Sequence, residues 1–141
     1  MDEIFDPFSG FSGRMLAAAK CGKRYTGQDI NELHVEESNA IVRAFGLSNC
    51  TVVKKDIFES AGEYDCLFTC PPYGDTERWN DDDKNMTCDQ WIEECLNRFK
   101  CKKYLFVVDR TEKYKDDIVE TIENRSHFGK NTEYVISISY K

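Results

Sequence analysis

The sequence predicts an α/β domain: a doubly wound, mostly parallel sheet with helices on both faces, Rossmann-like, with an antiparallel C-terminal strand. Three observations predict it. Short apolar runs alternate with helix-patterned stretches, with few residues between them. Most of those runs end at an acidic residue or a chain-breaking turn. A glycine-rich loop, DPFSGFSG at residues 6–13, joins the first run to the first helical stretch.

Ile4-Phe5 centres a first strand over residues 3–6, and the glycine-rich loop follows. A helix is expected over residues 13–21, with Met15, Leu16 and three alanines; Gly22 ends it, because glycine accepts positive φ without a Cβ penalty. Residues 25–28 form a second strand, ending at Asp29. Asn31 caps a second helix running to about Phe45, with Leu33, Glu37, Ala40, Ile41 and Ala44 near one face and Gly46 as its stop. A third strand covers residues 50–54, with Asp56 just beyond it. The fourth, residues 64–69, holds the run Cys66-Leu67-Phe68, which reads as a strand buried on both faces. CPPY at residues 70–73 ends it, since two prolines remove ladder donors.

Residues 74–86 are polar and acid-rich. Thr87-x-x-Gln90 is a capping box opening a helix with Trp91, Ile92, Cys95, Leu96 and Phe99 at helical spacing. A fifth strand covers 104–108, followed by Asp109. A last helix is expected over residues 111–124, using Ile118, Val119 and Ile122. A final strand covers 134–139, paired with 126–128 through a turn at 129–131.

The chain has 141 residues, which suits one domain over 1–141, with no second domain, repeat or low-complexity tract in view. No stretch approaches the roughly 20 apolar residues that cross a bilayer. Seven cysteines, an odd number, without a secretory signal fit free thiols in a reducing cytoplasm. With two histidines and no Cys-x-x-Cys, a zinc cluster is not expected. A net charge of −7 argues against nucleic-acid binding through the overall field. It leaves room for local basic patches at Lys54-Lys55 and at Arg98, Lys100, Lys102 and Lys103.

In an open α/β sheet, ligands bind beyond the carboxyl ends of the strands, where strand order reverses. Five features map to that edge: residues 6–13, Asp29, Asp56, residues 70–73 and Asp109. Gly10 and Gly13 permit a tight turn and close approach to a ligand at a helix start. The spacing is not Gly-x-Gly-x-x-Gly, and no Lys-Ser/Thr follows, so a pyrophosphate ligand is not favoured. Asp6 suits a ligand with a cationic or amino group. Asp29 is placed to accept from ribose hydroxyls. Asp56 is placed to accept from a purine amino group, with Ile30 and Ile57 flanking the ring. The Pro71 carbonyl is an acceptor, and Tyr73 offers a face for stacking on a base.

DPFSGFSG followed by TCPPY resembles the S-adenosylmethionine-dependent DNA amino-methyltransferases, which act on the exocyclic nitrogen of adenine or cytosine. The cofactor motif Asp-Pro-Phe-x-Gly-x-Gly is matched by Asp6, Pro7, Phe8, Gly10 and, one residue late, Gly13, with Ser9 between. The catalytic motif is matched by Cys70, Pro71, Pro72 and Tyr73, with Cys70 replacing Asp, Asn or Ser. The resemblance implies S-adenosylmethionine as cofactor. It implies a flipped base whose amino hydrogens are accepted by residue 70 and the next carbonyl, and no metal. It also implies DNA as partner, through a separate target-recognition domain or subunit, in a setting such as restriction-modification.

Two departures keep alternatives open. A thiol accepts hydrogen bonds weakly, so Cys70 is a tolerated variant, a mark of lost catalysis, or a sign of another substrate. No target-recognition region is visible; residues 74–86, with Arg78 and Trp79, are a candidate DNA contact or a lid. The alternatives are a methyltransferase on RNA or on another amino or amide substrate, and a non-catalytic cofactor-binding subunit.

Overall fold

The computed structural model describes residues 2–72, 86–126 and 129–139. Seven strands form one sheet: β1 (Glu3–Asp6), β2 (Arg24–Asp29), β3 (Cys50–Lys54), β4 (Gly62–Thr69), β5 (Phe99–Val108), β6 (Ile118–Ser126) and β7 (Gly129–Ser139). Three α-helices cover it: α1 (Gly13–Lys20), α2 (Glu32–Phe45) and α3 (Cys88–Arg98). The strand order is β3-β2-β1-β4-β5-β7-β6. The first five strands in that order run parallel, and β7 is antiparallel to both its neighbours. The expected fold class is therefore present. Strand order reverses between β1 and β4, which fixes where a ligand crevice opens.

Alternate residues of the strands feed two cores. On one face Met15 and Ala18 of α1 pack with Tyr25, Cys50 and Val52, joined by Ile4 and by Ile41 and Val42 of α2. On the other, Trp91, Ile92 and Cys95 of α3 pack against Phe5, Leu67, Tyr104, Phe106 and Val108. Burying a side chain such as Ile92 or Leu67 contributes about 1.5–3 kcal/mol, so α3 is held by packing more than by its own length. Its start is nonetheless well defined: Thr87 and Gln90 form the expected capping box. Asn31 caps α2, and Gly46 ends it at φ 63°.

The expected helix over 111–124 is corrected: residues 118–126 form β6. Its would-be first turn is held elsewhere. The Glu112 and Lys113 amides both donate to Asp89 Oδ2 at 3.0 Å, and the Thr111 hydroxyl donates to Asp89 Oδ1 at 2.5 Å. Only a single 3₁₀ turn forms, at Lys115–Asp117. Ile118, Val119, Thr121 and Ile122 are β-branched and suit a pleated surface. The expected turn at 129–131 is corrected too. Ser126 pairs with Gly129 and Asn124 with Asn131, so those residues lie within β7. Strand β5 also begins earlier than expected, directly at the end of α3. Among the described residues no helix is long and apolar enough to cross a membrane.

Candidate functional site

Asp6 closes β1 and is fully buried. Its Oδ1 accepts from the Thr69 hydroxyl at 2.5 Å and the Phe8 amide at 3.2 Å. Its Oδ2 accepts from Arg14 Nε and from the Tyr25 hydroxyl, each at 2.7 Å. One carboxylate thus ties together β1, β2, the end of β4 and the first turn of α1. A cation in a helix's first turn is ordinarily unfavourable; Asp6 explains Arg14 there, and Arg14 Nη2 also donates to the Phe8 carbonyl at 2.6 Å. Burial opposes the charge on Arg14, but Asp6 outweighs it and raises the guanidinium pKa, with a smaller push from Cys70. Burial, and then Asp6, drive the Tyr25 phenol far above its usual range.

The loop after β1 folds back over β2. The Ser9 amide donates to the Gln28 carbonyl at 3.0 Å. This close approach needs Gly27: a Cβ there would lie 2.7 Å from the Tyr25 ring and 2.9 Å from Ser9 Cβ. Gly10 turns the loop at φ +54°, and its amide donates to Asp29 Oδ2 at 2.9 Å. Ser12 takes left-handed φ 74° at the start of α1, and its hydroxyl meets that of Ser38 at 2.5 Å, anchoring the loop to α2.

Beyond the carboxyl ends of β1, β2 and β4 lies a cavity of about 270 Å³. Of the expected site residues, Phe8, Ser9, Gly10, Gly13, Asp29, Ile30, Cys70 and Pro72 line it. Asp6, Pro7, Pro71, Asp56 and Ile57 are not among its lining residues. Asp6 has every oxygen engaged within the protein. Pro7 and Pro71 are buried. Asp56 caps the 3₁₀ turn Ile57–Glu59 by accepting from the Phe58 amide, and Ile57 is in the core beneath α3. Asp109, expected at the same edge, accepts from the Cys88 thiol at 3.4 Å; burial and this contact push that thiol up to about 12. Tyr73, Arg78, Trp79 and, except for Met86, the suggested DNA contact or lid over 74–86 lie outside the described residues.

Phe11, Arg14 and His34 line the cavity without having been expected there. Phe11 is 79% exposed, and its ring lies 4.6 Å from that of His34. An aromatic between the two glycines of the loop was the signal available in the sequence. His34 Nδ1 is 3.5 Å from Asp29 Oδ1. A larger hollow of about 480 Å³ lies at the opposite edge, where the parallel strands begin. Its charges answer one another, with Arg24 near Glu3, Lys100 near Glu63 and Lys102 near Asp65. It has neither the glycine loop nor the strand ends that favour a ligand. These pairs, with Arg98–Glu94 and Lys54–Glu32, also place an acid beside most of the two basic patches.

The smaller cavity suits S-adenosylmethionine. The Ser9 hydroxyl is buried with no hydrogen-bond partner among the described residues, a polar group that a ligand would satisfy. A Cβ on Gly13 would meet nothing within 4 Å, so that glycine leaves open space on the cavity wall. Asp29 keeps carboxylate oxygens at the end of β2, held by the amides of Gly10 and Asn31.

No family model matches the chain. Over 75 residues it is 32% identical to the tRNA (guanine(10)-N2)-dimethyltransferase of Methanothermobacter thermautotrophicus; the match covers 52% of this chain and 22% of that protein. The chain thus spans about a fifth of the length of the curated relative it matches. Among solved structures it superposes on PH1948 of Pyrococcus horikoshii, named as a candidate RNA methyltransferase, with a TM-score of 0.69, 13% identity and coverage of 97% of this chain and 73% of that one. It also superposes on magnesium protoporphyrin IX methyltransferase of Synechocystis with bound S-adenosylmethionine, with a TM-score of 0.71, 13% identity and coverage of 98% and 69%. The fold is that of the class I S-adenosylmethionine-dependent methyltransferases. The expected cofactor, S-adenosylmethionine, agrees with it. The DNA reading is corrected. The relative found by sequence is a tRNA enzyme, and a close match of the fold is named for RNA, so a DNA amino-methyltransferase, a DNA partner and a restriction-modification setting are not supported.

Proposed function

We propose that this chain is the catalytic domain of an S-adenosylmethionine-dependent methyltransferase acting on an exocyclic amino group in RNA. The observation that carries this reading is the cavity at the strand-order reversal, lined by the glycine loop together with Cys70 and Pro72. The substrate class rests on the tRNA guanine-N2 enzyme found by sequence, whose name specifies an exocyclic amino group.

The chain's residues divide the work. Asp29 holds the ribose hydroxyls, and the Ser9 hydroxyl supplies a further polar contact. Gly10 and Gly13 bring the backbone close, and Ile30 lies against the base. Bound there, S-adenosylmethionine would supply the methyl group. By the motif it resembles, Cys70 and the Pro71 carbonyl would accept the hydrogens of the target amino group. This orients the nitrogen lone pair; placement and electrostatics are the main catalytic means. By the same resemblance, Tyr73 would stack on the target base. With a net charge of −7, RNA recognition falls to a segment or partner beyond this domain. Seven cysteines outside any disulfide fit a reducing cytoplasm.

Calorimetry tests the first half: S-adenosylmethionine or its demethylated product should bind in the micromolar range, about −8 kcal/mol. Asp29→Ala removes charge-assisted hydrogen bonds worth about 1.5–3 kcal/mol, so binding should weaken about ten- to a hundredfold. Transfer of labelled methyl to a tRNA transcript, with loss of label transfer on DNA of matched sequence, tests the second. Absence of cofactor binding refutes the whole reading; methyl transfer only to non-RNA substrates refutes the substrate class.

A further inference from the structure

A sulfur is a weak acceptor when protonated and a strong one as thiolate, so the charge facing Cys70 decides what this motif can do. Cys70 and Arg14 line the same cavity. They are also joined through Asp6: Arg14 Nε donates to its Oδ2, and its Oδ1 takes the hydroxyl of Thr69, the residue before Cys70. Arg14 is therefore fixed beside the end of β4 by a fully buried carboxylate. The negative form of Cys70 favours the charge on Arg14. Such an interaction is mutual, so the Arg14 charge favours the thiolate by the same amount.

We propose that Arg14 is a positioning residue that holds the Cys70 sulfur as a thiolate on the cavity wall, where it accepts the proton shed by the substrate's amino nitrogen. This rests on the amino-methyl transfer reading above. During transfer the nitrogen would form one N–C bond as the methyl's bond to the sulfonium of S-adenosylmethionine breaks, that bond's electron pair staying on the sulfonium sulfur, and one N–H bond would break. The N–H electron pair stays on nitrogen, the proton forms an S–H bond on Cys70, and water later removes it. An anionic sulfur would also accept the hydrogen bond that Asp, Asn or Ser accepts in the motif it resembles.

Among the described residues, the other charged or titratable groups at the cavity are Asp6, bound to Arg14, and Asp29 and His34, which line it. Asp6 tempers the field of Arg14. The Asp29 carboxylate opposes an anionic sulfur, but the amides of Gly10 and Asn31 already hold it. Arg14 is the cation among the residues that line the cavity with Cys70, His34 aside.

Alkylation by iodoacetamide reads the thiolate directly, without cofactor or RNA. Cys21 is exposed, Cys70 is half-buried and the other five thiols are buried. In the full chain carrying Cys21→Ser, the rate of modification at Cys70, located by peptide mass mapping, is followed from pH 5 to 10. The expected midpoint lies at least one pH unit below the ordinary thiol value of about 8.5. Arg14→Lys should stay close to the parent, and Arg14→Gln should move up by a unit or more. A parent midpoint at or above 8.5 overturns the proposal, whether or not a variant folds. So does an Arg14→Gln protein that is folded by circular dichroism and titrates like the parent. Methyl transfer to RNA by a protein whose Cys70 titrates ordinarily would refute the pairing and leave the function standing. An acidic Cys70 with no cofactor binding would refute the function instead.

Discussion

Asp6→Asn tests whether this domain is organised around one buried carboxylate. The substitution keeps the shape and removes the charge. Asparagine offers one oxygen and one NH₂ where Asp6 now accepts four hydrogen bonds. With its oxygen toward Arg14 and Tyr25, the NH₂ confronts the Phe8 amide, which cannot reverse. With its oxygen toward Phe8 and Thr69, the NH₂ confronts Arg14 Nε, which cannot reverse either. In both cases the guanidinium loses its counter-charge. Breaking a buried pair by removing one partner costs about 3–5 kcal/mol. The Arg14 side chain is 23% exposed, so solvent screens part of this and the low end applies. A loss of about 3 kcal/mol is a large share of the 5–15 kcal/mol typical of a domain. At a urea m-value of about 1.5 kcal/mol/M, the unfolding midpoint should fall by about 2 M. Asp6→Asn combined with Arg14→Met should lose less than the two single losses added, because the stranded charge is gone. A single-variant loss under about 1 kcal/mol would refute the reasoning, as would strict additivity in the pair.

Gly27→Ala sets a methyl group 2.7 Å from a Tyr25 ring that is pinned by its bond to Asp6. Overpacking of this kind costs about 1–3 kcal/mol, and the displaced Ser9 should weaken cofactor binding as well; thermal melting and calorimetry check both. Asp89 is opposed by burial, but hydrogen bonds from Thr111 and the Lys113 and Glu112 amides outweigh that and hold its carboxyl below the usual value of 3.8. Its contribution is therefore present above about pH 4 and is lost as pH falls through the lower folded value. Asp89→Asn should destabilise the protein at pH 7, and the gap from the parent should narrow toward pH 2, as measured by urea unfolding across that range.

The parallel half of the sheet was legible because each strand is a short apolar run with a distinct stop. The C-terminal hairpin was not. Ile118, Val119 and Ile122 fit a helical stripe and a β-branched strand about equally in so short a window. The choice was made far away in sequence, by Asp89 holding the amides of residues 112 and 113 and by the pairing of Ile118 with Ile136. Local pattern carries no record of such partners. The glycine loop, Asp29 and Cys70 were legible as neighbours at one cavity for the opposite reason. Their positions at strand ends follow from chain order alone.

Position at the ligand edge does not by itself make a carboxylate a ligand. Asp6, Asp29, Asp56 and Asp109 all follow strands of the parallel sheet. Asp6 is enclosed by four donors, Asp56 caps a turn and Asp109 takes a thiol. Asp29 alone of the four reaches the cavity, and it does so because Gly10 turns the loop onto it from one side and Asn31 donates from the other. What separates them is whether the fold supplies enough donors to enclose the carboxylate. The same test applied to Arg14 explains why it escaped notice. A lone arginine after glycine reads as a solvated helix start until Asp6 is seen to be buried. The acid that looked like a cofactor ligand is then the group that holds Arg14 in the first turn of α1, on the wall of the cavity.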